Sequence, residues 1–174
     1  MVPLLRSSAT AALCAAGLVA ALAAPAGAAT FTVTKTTDSL DGACAADCSL
    51  REAVQAANAD ATQDTIVLPA GQHQVAIGGA VPEDANASGD LDIANDVIIR
   101  GAGADRTVIR GVLPSGFEDR VLDLAGANTD VELRGLAVTG GYVHEAGSGG
   151  GGIRALGVHS LLLDHVVLRG NRAE

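Results

Sequence analysis

The stretch Thr129-Asp130-Val131-Glu132-Leu133-Arg134-Gly135-Leu136-Ala137-Val138-Thr139-Gly140 recurs without a gap as His159-Ser160-Leu161-Leu162-Leu163-Asp164-His165-Val166-Val167-Leu168-Arg169-Gly170. The offset is 30 residues. Val131, Leu133, Leu136 and Val138 fall on Leu161, Leu163, Val166 and Leu168. Gly135 and His165 align as turn positions. One unit earlier, Asp96-Val97-Ile98-Ile99-Arg100-Gly101 matches Asp130 to Gly135 at an offset of 34. Self-similarity at this period, in units of three short strands and their turns, predicts a solenoid in which each coil buries its aliphatic face on the next. Leucine-rich repeats fit poorly, because their spaced Leu and Asn signature is missing. A sandwich of hairpins would account for strands and turns but not for the repetition. The expected fold is all-β, a parallel β-helix.

The rest of the chain agrees. Short apolar runs at 65–68, 74–77, 91–93, 97–99, 107–109 and 121–124 are separated by Gly, Asn and Asp. Only Phe31, Phe117 and Tyr142 are aromatic, against 22 glycines. A compact globular core leans on larger side chains. Stacked Ala, Val, Leu and Ile suit a narrow solenoid core.

Upstream the pattern changes. Residues 30–36 alternate and are rich in β-branched side chains, which reads as a strand. Residues 37–46 read as a loop. Ser49, Leu50, Arg51 and Glu52 then match a capping box, in which Ser49 accepts from a first-turn amide and Glu52 reaches back to the Ser49 amide. Leu50, Ala53, Val54 and Ala57 follow at i, i+3, i+4 and i+7, one apolar stripe on a helix of about two to three turns. Arg51 lies off that stripe, so a charge placed at Val54 is expected to cost more than one placed at Arg51. Residues 58–64 are the exit loop. A helix here could lie across the open end of the first coil.

The segment from Asp38 through Cys48-Ser49-Leu50-Arg51-Glu52-Ala53 and on to Asp64-Thr65-Ile66-Val67-Leu68-Pro69-Ala70-Gly71 resembles the CSLREA domain. That domain lies near the N-terminus of exported bacterial proteins with right-handed parallel β-helix repeats. The resemblance covers about residues 30–80. It implies a right-handed solenoid with an N-terminal capping helix and an exported location, and it implies no shared reaction.

Residues 1–28 have the form of a cleavable signal peptide: Arg6, then an uncharged apolar run over 11–24, then Ala26-Gly27-Ala28. The run is short for a membrane anchor. Cleavage after Ala28 removes 28 of 174 residues and leaves 146, enough for one domain. It takes Arg6 and no acid, so the formal charge moves from −9 to −10. That acidity argues against nucleic acid and anionic membrane surfaces as partners. Export leaves Cys44 and Cys48 as an even pair, which an oxidising compartment would join. A metal site is the rival reading, but the first histidine is His73. The expected organisation is 1–28 signal peptide, 29–80 cap and first coil, and 81–174 further coils. No capping pattern precedes Glu174, so the chain is expected to be a piece of a longer solenoid whose last coil, over 161–168, self-associates.

The chemistry is weakly marked. Gly147, Gly149 and Gly152 have the spacing of a nucleotide loop, but no helix opening follows, and an inter-coil loop is the plainer reading. Asp84, Asp90 and Asp92, with Glu83, offer hard oxygen ligands for calcium. Their spacing is not that of an EF-hand, and Asp90 and Asp92 read more simply as solvent-facing. Asp123, Glu132, Arg134 and Asp164 could stack on one face, as a carbohydrate-active enzyme would need. His73, His144, His159 and His165 show no metal spacing, and no nucleophile elbow supports a Ser/His/Asp triad. No catalytic residue, cofactor or metal ligand is assigned. The expected role is structural or binding, at the cell surface or outside the cell, with glycan or protein partners. The alternative is a fragment of a polysaccharide lyase or hydrolase.

Overall fold

A computed structural model describes residues 27–79, 83–112, 119–144 and 149–174. Most of the expected signal peptide (1–26), Phe117 and Gly147 lie outside the described residues. The chain winds through about four turns of parallel strands. It begins with β1 (Thr30–Thr32) and α1 (Leu50–Ala57), and the first full coil is β2 (Asp64–Val67), β3 (Gly71–Val75) and β4 (Leu91–Ile93). The second is β5 (Val97–Arg100), β6 (Thr107–Gly111) and β7 (Leu122–Leu124). The third is β8 (Asp130–Arg134), β9 (Ala137–Thr139), β10 (Tyr142–Val143) and β11 (Ile153–Ala155). The last is β12 (Ser160–Asp164), β13 (Val167–Arg169) and β14 (Arg172–Ala173).

Three parallel sheets result. The first runs β1-β2-β5-β8-β12, the second β3-β6-β9-β13 and the third β4-β7-β11, while β10 pairs with β14. The sequence repeats are the pairing registers. Val131 sits beside Leu161, at the offset of 30, and Val97 beside Val131, at the offset of 34. Parallel strands cannot be joined by tight hairpins; here each crossover is the remainder of a coil. Inward side chains form aliphatic columns, such as Ile66-Ile99-Leu133-Leu163 and Leu91-Leu122-Ile153. The core is therefore a stack of layers, and a one-residue slip would expose a whole column.

Three strands differ from expectation. β1 ends at Thr32 rather than running to 36: Val33 still bonds Val67, but the Thr34 N–H turns to the Cys48 carbonyl at 2.9 Å. β3 occupies 71–75 rather than 74–77, since the Ala76 and Ile77 N–H groups both donate to Asp38 Oδ2, at 2.7 and 2.9 Å. β11, where no strand was expected, begins directly after the glycine stretch read as an inter-coil loop, and its Ile153 pairs with Leu122.

The helix forms as its sequence dictates. Ser49 caps it, accepting from the Glu52 N–H, and the Glu52 carboxylate returns to the Ser49 N–H at 2.7 Å. Leu50, Ala53, Val54 and Ala57 are buried, and α1 packs against β1, β2, β3 and β4, touching all three sheets at the start of the coil stack. Cys44 and Cys48 lie at disulfide distance, Sγ to Sγ 1.96 Å. Arg51 and Glu52 are as buried as the stripe, and Arg51 is 0 % exposed. Arg51 is therefore no solvent-facing reference for Val54, and the smaller cost expected for a charge at position 51 loses its basis. Its Nε and Nη2 each reach Asp38 at 3.0 Å. Its Nη atoms also donate to the carbonyls of Asn86, Ser88, Gly89 and Asp90. Asn86 returns a bond from Nδ2 to the Arg51 carbonyl at 2.9 Å. A single guanidinium thus pins the 86–90 turn to the helix. Among the described residues, no helix is long and apolar enough to cross a membrane.

Candidate functional site: an arginine-lined groove and a buried carboxylate ladder

Two polar constellations sit on the outside of the coils. The first lies at the corner between the first and second sheets. Strands β5, β8 and β12 end on Arg100, Arg134 and Asp164, which are neighbours in register. The next residues are Gly101, Gly135 and His165. Gly135 and His165 share a left-handed backbone, with φ 59° and 53°, so the aligned turn positions expected from the repeat are structurally equivalent. Gly101 is required for another reason: a Cβ there would collide with the Gly135 carbonyl. The coils can approach at this corner because side chains are missing.

That close approach leaves a groove of about 740 Å³, into which Arg100, Arg134, Arg169, Asp105, Asp164 and His165 project. Arg134 is engaged, with Glu132 at 2.5 Å and Asp164 at 3.8 Å. Arg100 and Arg169 pair with no carboxylate among the described residues. Sequence reading missed this row, although a signal was present. Arg-Gly recurs at 100–101, 110–111, 134–135 and 169–170, each time at a strand end.

The second constellation is on the third sheet. Asp92, Asp123 and Arg154 are successive rungs of β4, β7 and β11. They alternate with the inward Leu91, Ile93, Leu122 and Leu124, so their side chains leave the core. Yet Asp90, Asp92 and Asp123 are only 2 %, 4 % and 1 % exposed. The expectation that Asp90 and Asp92 face solvent is therefore corrected. The 83–89 turn folds back over them, and the Asn86 N–H donates to Asp92 Oδ2 at 2.9 Å. Asn86 adopts the left-handed conformation, φ 58°, to do so.

Arg154 grips Asp123 through Nε to Oδ1 at 2.9 Å and through Nη2 to Oδ2. Arg120 bridges Asp123 at 3.4 Å and Asp90 at 3.3 Å. Burial, reinforced by the Asp119 and Asp92 carboxylates, pushes Asp90 up to about 8. Burial likewise pushes Asp92 up to about 7, against the Asn86 N–H and with the help of Glu83, Asp123 and Asp84. Both groups can thus carry protons at neutral pH.

The proposed grouping of Asp123 with Glu132, Arg134 and Asp164 does not occur. Asp123 is on the third sheet and the other three are on the first. Ser160 and His159 both bond Asp130 Oδ1, at 2.6 and 2.7 Å. No bond joins the serine to the histidine among the described residues, so this trio has no activated nucleophile. His73 is a core residue, 2 % exposed, with Nε2 2.9 Å from the Pro69 carbonyl. No family model, curated protein or solved structure matches the chain.

Proposed function

We propose that this chain is an exported, N-terminally capped, right-handed parallel β-helix that works by binding, at the cell surface or outside the cell, and that its ligand is an anionic glycan held along the arginine groove. The observation that carries this reading is the pair of uncommitted guanidiniums, Arg100 and Arg169, in one open groove with Arg134. Arg100 and Arg134 are equivalent positions on adjacent coils, about 4.8 Å apart, and Arg169 of β13 lines the same groove, so a linear polymer with a carboxylate on each unit can meet more than one cation. Guanidinium forks suit carboxylates and sulfates. The groove stands out against a chain of formal charge −9, so attraction is local to it. The capping helix, the cysteine pair and the resemblance to the CSLREA domain support export.

The test is binding to polygalacturonate and to neutral dextran across a salt series. Preference for the acidic polymer is expected, weakening with salt, with a loss of about tenfold or more in Arg100→Ala/Arg169→Ala. Equal affinity for dextran, or no loss in the double variant, refutes the reading. A carbohydrate-active enzyme is the second reading, supported by the proton held on Asp90. Its weakness is that Asp90 is 2 % exposed and lies on the third sheet rather than in the groove. Release of reducing ends from the acidic polymer would favour it.

A further inference from the structure

The ladder on the third sheet has more acid than its arginines balance. Asp84, Asp92 and Asp123 place a carboxylate oxygen each within 4.8 Å of one another. Asp90 interacts electrostatically with Asp92 and Asp123, and Glu83 with Asp92, while Asp119 acts on Asp90. Arg120 and Arg154 are the cations bonded to this group. Like charges in register on neighbouring strands are destabilising, and Asp92, when ionised, forms such a pair with Asp123.

A second observation points to what is missing. Asp92 is 4 % exposed, and its Oδ1 is sealed from solvent with no hydrogen-bond partner among the described residues. Oδ2 is satisfied by the Asn86 N–H. The same turn leaves another sealed oxygen, Asn86 Oδ1, without a partner. Buried carboxylate oxygens in native proteins are bonded, and a cation would satisfy this orphan and the surrounding acids together.

We propose that Asp84, Asp92 and Asp123 hold a calcium ion that ties the 83–89 turn to the outer face of the third sheet. The donors are all oxygens, which excludes the softer metals that seek thiolate or imidazole. Calcium takes oxygens at about 2.3–2.6 Å in irregular arrangements, so oxygens this far apart can share it, whereas magnesium demands a tighter octahedron. Asp92 and Asp123 come from rigid strands, and exposed Asp84 supplies the entry side. Arg154 leaves Asp123 further lone-pair directions, since a carboxylate has about four.

The experiment uses the purified protein stripped with EDTA, titrated calorimetrically with calcium chloride or magnesium chloride, with thermal unfolding in parallel. One calcium per chain and a midpoint raised by several degrees at 1 mM calcium are expected, with magnesium at least tenfold weaker. Asp84→Asn changes only the exposed donor and should fold normally while weakening calcium at least tenfold. Asp92→Asn should abolish the calcium-dependent rise. No heat and no shift, or calcium binding unchanged in Asp84→Asn and Asp92→Asn, overturns the site. An equal response to magnesium overturns its assignment to calcium. The two arginines of the groove are untouched by these variants, so failure here leaves the glycan reading standing.

Discussion

Arg51→Met removes the guanidinium that holds the cap to the first coil while keeping most of the side-chain stem. The head makes two bonds to Asp38 and reaches four backbone carbonyls of the 86–90 turn. Its partner Asp38 is 1 % exposed at the side chain, so the variant strands a buried carboxylate that keeps only the Ala76 and Ile77 N–H groups. Removing one member of a buried pair costs about 3–5 kcal/mol, most of it the charge left behind. In a domain of this size that lowers the melting temperature by about 10–15 °C. Urea and thermal unfolding of the variant measure it. Arg51→Met/Asp38→Asn removes the stranded charge as well, and should recover about 1–2 kcal/mol, a coupling visible in the double-mutant cycle. Arg106→Met, on the surface, should stay within about 0.5 kcal/mol. A loss below about 1 kcal/mol for Arg51→Met, or no recovery in the double variant, refutes the claim that this ion pair organises the cap.

Three further outcomes are expected. In chelator, Asp90 and Asp92 hold protons up to about 8 and about 7 in the fold but ionise near ~3.9 when unfolded. The folded state therefore binds more protons between these values, and stability falls as pH rises through that window. Asp119, Asp123, Asp84 and Glu83 reinforce this and Arg120 opposes it. The urea midpoint should be lower at pH 8.5 than at pH 5.5, and a flat or rising profile contradicts it. Processing after Ala28 would turn the Ala29 nitrogen, which lies 2.6 Å from Asp64 Oδ1, into an ammonium facing a fully buried carboxylate. A chain beginning with a free Ala29 amine should exceed its N-acetylated form by about 1–3 kcal/mol, and Asp64→Asn should erase the difference. In the last coil Leu162, Leu163, Val167 and Leu168 are 47, 43, 42 and 49 % exposed. The 29–174 segment should therefore self-associate in sedimentation, and Leu163→Lys/Val166→Lys should reduce it; a monomer unaffected by the pair of lysines counts against this.

The sequence alone determined the solenoid, because its information is periodic. An offset of 30 or 34 residues between aliphatic pairs is a register written along the chain, and the strands pair as the alignment pairs them. The capped helix was legible for a similar reason: Ser49, Glu52 and the stripe lie within one local window. The groove was half-legible, as the Arg-Gly dipeptides were there to read but not the corner that gathers them. Tertiary structure decided the rest. Nothing local marked Arg51 as buried, because its partners, Asp38 and the 86–90 carbonyls, are 13 and up to 39 residues away. Asp90 and Asp92 looked exposed because they alternate with Leu91 and Ile93. Alternation tells only which side chains leave the core. It cannot tell that a turn elsewhere in the same coil folds back to cover that outer face. Burial of a charge depends on what comes to lie over it and on whether a counter-charge arrives with it, and both are properties of the folded coil rather than of any local pattern.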